Sequence, residues 1–238
     1  DIVSIFNVKE IFIFSKIPGP EIKTIIEFCK KAKIGYKIIP CVKDLSSDKI
    51  IYLSEVRNIE ILDILEKESI NLDFSSISKF LKGKKILISG AGGSIGSELC
   101  KQIYSNYNAE SLILIDKTEN YLYEIECELK SIKSSCKYFS YLCDITHKNK
   151  LKTIFENLKP DIVFHTAAYK HVPLAEEHFM EVIENNVFGT KNIADLTNEF
   201  GVNYFIMIST DKAVNPTSIM GTSKRIGEIY IQNLSEKS

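Results

Sequence analysis

Ser209-Thr210-Asp211-Lys212 places a hydroxyl, a carboxylate and an amine side by side, directly after the apolar run Tyr204 to Ile208. Met220-Gly221-Thr222-Ser223-Lys224 follows, with a second lysine about three helical turns past the first. These groups suffice to move protons around one small polar molecule. A lysine acting as base must be neutral, so burial or a nearby cation such as Lys224 has to lower its pKa. A carboxyl acting as acid must be protonated, so a substrate that desolvates Asp211 has to raise its pKa.

A second group lies upstream. Gly90-Ala91-Gly92-Gly93-Ser94-Ile95-Gly96 follows the apolar Lys85–Ser89 run and leads into a helical pattern. Gly90, Gly93 and Gly96 have the spacing of a turn that lets backbone approach a pyrophosphate. The helix N-terminus beginning at Ser94 and Ile95 favours the phosphate charge. Asp116 ends the next apolar run, twenty residues beyond Gly96. A carboxylate there accepts from a ribose 2′-hydroxyl and repels a 2′-phosphate, which selects NAD while leaving NADP open. Lys117 is adjacent, but strand alternation sends successive side chains to opposite faces, so it is expected to be poorly placed to neutralise a phosphate. Asp144 follows the third strand, where it could touch the adenine or cap the following helix. Ala167, Ala168 and Lys170 follow the fourth strand on the cofactor's path. Lys170, His171 and Asn186 lie near the same path and either meet a bound molecule or are merely structural.

The elements that must position these groups alternate between apolar runs and helical stretches, the pattern of βαβ units and a parallel sheet. Strands are expected at Lys85–Ser89, Ser111–Asp116, Lys137–Leu142, Ile162–His165 and Tyr204–Ser209. Helices are expected at Ser94–Tyr107, Glu119–Ile132, Lys148–Asn157, Glu181–Phe200 and Thr217–Asn233. Ile86-Leu87-Ile88 and Ile162-Val163-Phe164 are apolar without alternation, as in strands buried on both faces. Ahead of this block, residues 1–68 read as the trailing part of a small α/β domain. It has strands at Ile11–Phe14 and Gly35–Ile39 and helices at Pro20–Lys33 and Glu60–Lys67. Residues 69–82 read as a linker.

Bulk properties narrow the classes. The 238 residues are 45% hydrophobic and 26% charged with a net charge of −1, so no basic field argues for nucleic acid. The apolar runs are too short to cross a bilayer, which argues against membrane contact by this segment. The chain starts at Asp1 rather than Met, as expected of a piece of a longer protein. Six cysteines and four histidines match neither a zinc pattern nor a disulfide framework, so no metal is expected and the thiols read as reduced and mostly buried.

Gly90 to Leu99, reading GAGGSIGSEL, resembles the extended short-chain dehydrogenase/reductase superfamily. His165-Thr166-Ala167-Ala168-Tyr169-Lys170-His171-Val172-Pro173-Leu174-Ala175-Glu176, Asn185 to Thr190, and the Ser209–Pro216 and Met220–Arg225 segments narrow the likeness. Together they resemble the CapD-like polysaccharide-biosynthesis proteins, nucleotide-sugar 4,6-dehydratases acting on UDP-N-acetylglucosamine. The resemblance implies a Rossmann-type doubly wound parallel sheet over residues 83–238, NAD as cofactor and a UDP-N-acetylhexosamine substrate. It also implies a homo-oligomer in the cytoplasm. The long-form members carry upstream transmembrane helices, which would place such a chain at the cytoplasmic face of the inner membrane. The first block is similar to the CoA-binding-like domain ahead of the catalytic domain in those members, and the later sugar-binding segments of the family are absent here.

The implied reaction oxidises sugar C4, eliminates water across C5 and C6, and re-reduces at C6. By position, Lys212 is the C5 base, Asp211 the acid at the C6 oxygen, Thr210 the partner of the C4 oxygen and Lys224 the nicotinamide-ribose ligand. Met220 stands where most of the superfamily has tyrosine, and a thioether has no proton to exchange. The C4 proton then leaves through Thr210, Asp211 or an ordered water. Two other readings stay open: a UDP-sugar 4-epimerase, and a non-catalytic NAD-binding sensor or scaffold.

Overall fold

The computed structural model describes residues 8–14, 19–32, 34–39 and 73–236. The chain divides into two compact units, Asp1–Leu72 and Asp73–Ser238. In the first, strands β1 (Glu10–Phe14) and β2 (Gly35–Ile39) pair in parallel through helix α1 (Gly19–Ala32). Ile22 and Ile26, one turn apart, pack with Ile13 of β1. The helix expected at Glu60–Lys67 lies outside the described residues.

The second unit opens with α2 (Phe74–Leu81), whose start is capped by Asp73 accepting from the Ser75 and Ser76 amides. Residues 74–81 are therefore a helix where the sequence reads as a linker. Leu81 is buried and Ile77 packs against the same core, which explains why the segment is ordered. Five strands follow: β3 (Lys85–Ser89), β4 (Ser111–Asp116), β5 (Lys137–Leu142), β6 (Ile162–His165) and β7 (Tyr204–Met207). They form one sheet in the order β5-β4-β3-β6-β7, all pairs parallel. This is the doubly wound Rossmann arrangement, whose strand order reverses beside the first strand and opens a crevice at the carboxyl ends.

The unbroken apolar strands bury both faces. Ile86, Ile88, Leu112 and Leu114 join one core, and Leu87, Ile113, Ile115 and Val163 join the other. Each such side chain contributes about 1.5–3 kcal/mol. Helices α3 (Ser94–Asn106) and α4 (Glu119–Lys130) add Cys100, Ile103, Ile125 and Leu129 to the first core. Helix α5 (Lys148–Leu158) adds Leu151 and Phe155 to the second.

A short helix precedes the expected single helix over 181–200, which is itself composite. Helix α6 (Val172–Glu177), helix α7 (Phe179–Ile183), a π-helical segment (Glu184–Gly189) and helix α8 (Thr190–Glu199) follow one another. The wider π turn faces Asn185 and Asn186 into the protein, where both are buried. Strand β7 ends at Met207, two residues short of expectation, and a 3₁₀ turn (Asp211–Ala213) leads to helix α9 (Ile219–Ser235). Among the described residues, no helix is long and apolar enough to cross a membrane, and no cluster of His, Cys, Asp and Glu could hold a metal ion.

Candidate active site

The glycine turn is fixed by crowding. Gly90, at φ +71°, and Ala91 donate to the Ile115 carbonyl at 2.8 and 3.1 Å. A Cβ on Gly90 would stand 2.7 Å from the Ala167 backbone, and one on Gly96 only 2.0 Å from the Gly90 carbonyl oxygen. Gly93 has more room, with the same oxygen 3.3 Å away. The spacing argument missed Gly92, where a Cβ would meet Tyr121 at 2.4 Å. Ser94 and Ile95 are exposed in the first turn of α3.

Gly90 and Gly93 border a cleft of about 220 Å³, lined also by Asp116, Lys117, Ala167, Ala168 and Tyr169. It lies at the carboxyl ends of β3, β4 and β6, the crevice expected for a dinucleotide. The residues fit one: Gly90 and Gly93 bring bare backbone to the cleft, and a carboxylate stands on its wall. Asp116 is 7% exposed and held rigidly, one oxygen accepting from the Gly92 amide at 3.0 Å and the other from Thr118 at 2.9 Å.

Two neighbours of Asp116 depart from expectation. Lys117 does not point away: it lines the same cleft, bonding the Tyr169 hydroxyl and Asn185 Oδ1. It follows the last strand residue, so alternation no longer governs it. Asp144 is not the cleft wall, which Cys143 and Ile145 form on either side of it. Its carboxylate accepts from the Thr146 amide at 2.8 Å and hydroxyl at 2.9 Å. Burial pushes Asp144 up, but these bonds and the Lys117 charge outweigh it and hold the carboxyl below its ordinary value.

The turn bearing Thr210, Asp211 and Lys212 follows β7. Thr210 Oγ1 donates to Asp211 Oδ1 at 2.9 Å, and Lys212 Nζ lies 3.4 Å from the same oxygen. The Thr210 bond first, then the lysine, hold Asp211 below the usual carboxylate range. Both the Asp211 and Lys212 side chains are exposed, at 87% and 55%. The turn rests on α9: a Cβ on Gly221 would stand 2.2 Å from the Lys212 carbonyl oxygen, so only glycine permits this approach. Ser218 caps the helix by accepting from the Gly221 amide.

Lys224, one turn further along α9, is 5% exposed and donates to the Ile208 carbonyl at 2.6 Å. Burial lowers its pKa to about 8, against a counter-pull from Glu228. Sequence reasoning passed over Glu228, which accepts from the Ser209 hydroxyl and pairs with Arg225. Met220, expected at the reacting centre, is 3% exposed and packs among Ala175, Val182, Val172 and Ile219. Its thioether serves the apolar contact between α9 and the α6–α7 pair.

Asn186 is fully buried with its amide engaged. Oδ1 accepts from the Tyr169 amide at 2.8 Å, while Nδ2 donates to the Tyr169 carbonyl at 2.9 Å and to Ser223 Oγ at 3.0 Å. It therefore positions the Tyr169 loop and is not free to meet a bound molecule, the other role the sequence left open. Lys170 and His171 are exposed and border a second cleft of about 240 Å³, with Leu174 and His178. His165 emerged only from the structure as a linking group. It is wholly buried, with Nδ1 2.7 Å from Ser89 Oγ and Nε2 2.8 Å from Thr190 Oγ1. Burial first, then the Lys224 charge, push its pKa down to about 3, so the ring is neutral and ties β3 to α8.

The strand order and the crevice define a Rossmann-type α/β protein of the extended short-chain dehydrogenase/reductase type. The chain belongs to the polysaccharide biosynthesis protein family, which it matches over residues 86–238. It is 37% identical to the capsular polysaccharide biosynthesis protein CapD of Staphylococcus aureus, over 99% of this chain and 39% of that protein. To a UDP-N-acetylglucosamine 4,6-dehydratase (inverting) of Campylobacter jejuni it is 36% identical, over 60% of this chain and 41% of the relative. Among solved structures, a UDP-Glc/GlcNAc 4-epimerase from Campylobacter jejuni aligns with TM-score 0.58 and 25% identity. That alignment covers 66% of this chain and 50% of the epimerase. The chain thus spans well under half the length of the two curated relatives it matches.

Proposed function

We propose that this chain supplies the NAD-binding and proton-transferring part of a nucleotide-sugar 4,6-dehydratase acting on a UDP-N-acetylhexosamine. The observation that carries the reading is the Thr210-Asp211-Lys212 turn, seated on Gly221 at the carboxyl end of the sheet, on the side where the glycine cleft opens. Similarity to the Campylobacter jejuni dehydratase supports the substrate class.

Gly90, Gly93 and the first turn of α3 would hold the pyrophosphate, and Asp116 the adenosine ribose. Bound NAD supplies reversible oxidation at the sugar. Once C4 is a ketone, the C5 proton is acidic. Lys212, as neutral amine, takes that proton. Asp211 gives its proton to the departing C6 hydroxyl, which leaves as water. The carboxylate is held ionised by Thr210 and Lys212 in the free protein, so the substrate must reverse this. A sugar that desolvates this pair and draws the Thr210 hydroxyl to the C4 oxygen favours passage of the Lys212 ammonium proton to Asp211, which leaves a neutral amine and a protonated carboxyl together. With Met220 buried and protonless, Thr210 is the hydroxyl nearest in sequence to this acid–base pair.

A 4-epimerase shares the fold and would need only C4 chemistry. The acid–base pair favours elimination over that reading. Incubation of the full-length protein with UDP-N-acetylglucosamine tests it. Loss of one water, read by mass spectrometry, is expected. An isomeric product of unchanged mass would select the epimerase, and no product with NAD bound would select a non-catalytic role.

A further inference from the structure

Asp116 and Lys117 are adjacent in sequence and opposite in charge, and both line the glycine cleft. A carboxylate beside the ribose repels a 2′-phosphate and an ammonium attracts one, so cofactor selectivity depends on where each charge is held. Asp116 is fixed by the Gly92 and Thr118 amides. The Lys117 ammonium does not pair with it. It bonds the Tyr169 hydroxyl and lies 4.0 Å from the centre of the Tyr169 ring, while Asn185 Oδ1 accepts from it at 3.1 Å.

Both holders are themselves anchored. Asn186 grips the Tyr169 backbone through its amide and carbonyl, and Asn185 Nδ2 donates to Asn186 Oδ1 at 3.0 Å. Asn186 is secured by Ser223 of α9. The π-helical segment thus carries a rigid receptor for one lysine. A hydroxyl, an aromatic face and an amide oxygen satisfy an ammonium well, and leaving them for another anion forfeits all three.

We propose that Tyr169 and Asn185 tether the Lys117 ammonium away from the ribose 2′ position, so that selectivity against a 2′-phosphate depends on this tether as well as on Asp116. The proposal rests on the dinucleotide reading above. It makes Tyr169 and Asn185 positioning residues for cofactor choice.

The test is calorimetric titration of the full-length protein with NAD and with NADP. Wild type is expected to bind NAD more tightly. Tyr169→Leu removes the hydroxyl and the ring, and should narrow the NADP-to-NAD ratio of dissociation constants about tenfold by freeing one cation near the phosphate. Tyr169→Phe, which keeps the packing, should narrow it in the same direction by less. Adding Lys117→Met to Tyr169→Leu should restore the wild-type ratio. An unchanged ratio in both tyrosine variants, or a narrowing that survives Lys117→Met, overturns the tether. Failure of wild type to bind either dinucleotide would instead overturn the dinucleotide reading, and the tether with it.

Discussion

The Lys224 ammonium donates to the carbonyl oxygen of Ile208 from a site that is 5% exposed, so a single buried charge ties helix α9 to the end of β7. The turn bearing Asp211 and Lys212 lies between these two anchors in sequence. The lysine therefore shapes the site even before any ligand arrives.

Burial lowers the pKa of Lys224 from 10.5 to about 8. The folded state disfavours the cation, so its cost is fully present below about pH 8. It is relieved as pH rises towards 10.5, where the unfolded chain also loses the proton. Stability of wild type relative to Lys224→Met should rise by up to about 3 kcal/mol across that window. Urea titrations of both proteins at stepped pH check this. A difference that stays flat with pH would mean the ammonium is well solvated.

His165 predicts an acid limit. Its pKa falls from 6.5 to about 3, through burial and then Lys224. Unfolded histidine takes up a proton below 6.5 while the folded ring stays neutral, so stability is lost as pH falls from 6.5 towards 3. Wild type should lose on the order of 4 kcal/mol more than His165→Gln over that range. Parallel acid-denaturation curves for the two proteins would contradict the buried neutral ring.

The glycine turn gives a graded prediction. Gly96→Ala forces a Cβ to within 2.0 Å of the Gly90 carbonyl, whereas Gly93→Ala meets the same oxygen at 3.3 Å. The first should cost about 3 kcal/mol or more and abolish dinucleotide binding, and the second should cost about 1 kcal/mol or less. Thermal melts with and without NAD read both. Equal costs would mean that the turn relaxes freely.

The strands were legible because the period of their apolar residues is a local property. Ile86-Leu87-Ile88 could only be buried on both faces, and four strands of the main sheet fall where the pattern puts them. The glycine turn and Asp116 were legible for the same reason, since turn chemistry and chain spacing lie within one βαβ unit. Features set by distant partners were not. His165 meets Ser89 across 76 residues, and Asn186 meets Ser223 across 37. The π turn that buries Asn185 and Asn186 has no periodic signature, so one long helix was the natural reading. Lys117 was misplaced because the alternation rule was carried one residue past the end of β4. Gly221 carried a usable signal: a glycine in the first turn of a helix marks a close backbone approach, here that of the Lys212 carbonyl.

On the proposed mechanism Lys212 takes the C5 proton and little else. It is exposed, so Lys212→Ala should leave folding and NAD affinity unchanged while lowering turnover about 10²- to 10⁴-fold. Steady-state rates beside NAD titrations of the same preparation check both halves. A variant that loses turnover and NAD together would assign Lys212 to cofactor binding.

The central claim is that this site removes a proton from C5. The most direct measurement is incubation of the full-length protein with UDP-N-acetylglucosamine in deuterated water, with the sugar analysed by mass spectrometry and proton NMR. The account predicts a product that has lost one water and carries deuterium at C5, with both changes abolished in Lys212→Ala. A product changed only at C4, with its original hydrogen at C5, would contradict it.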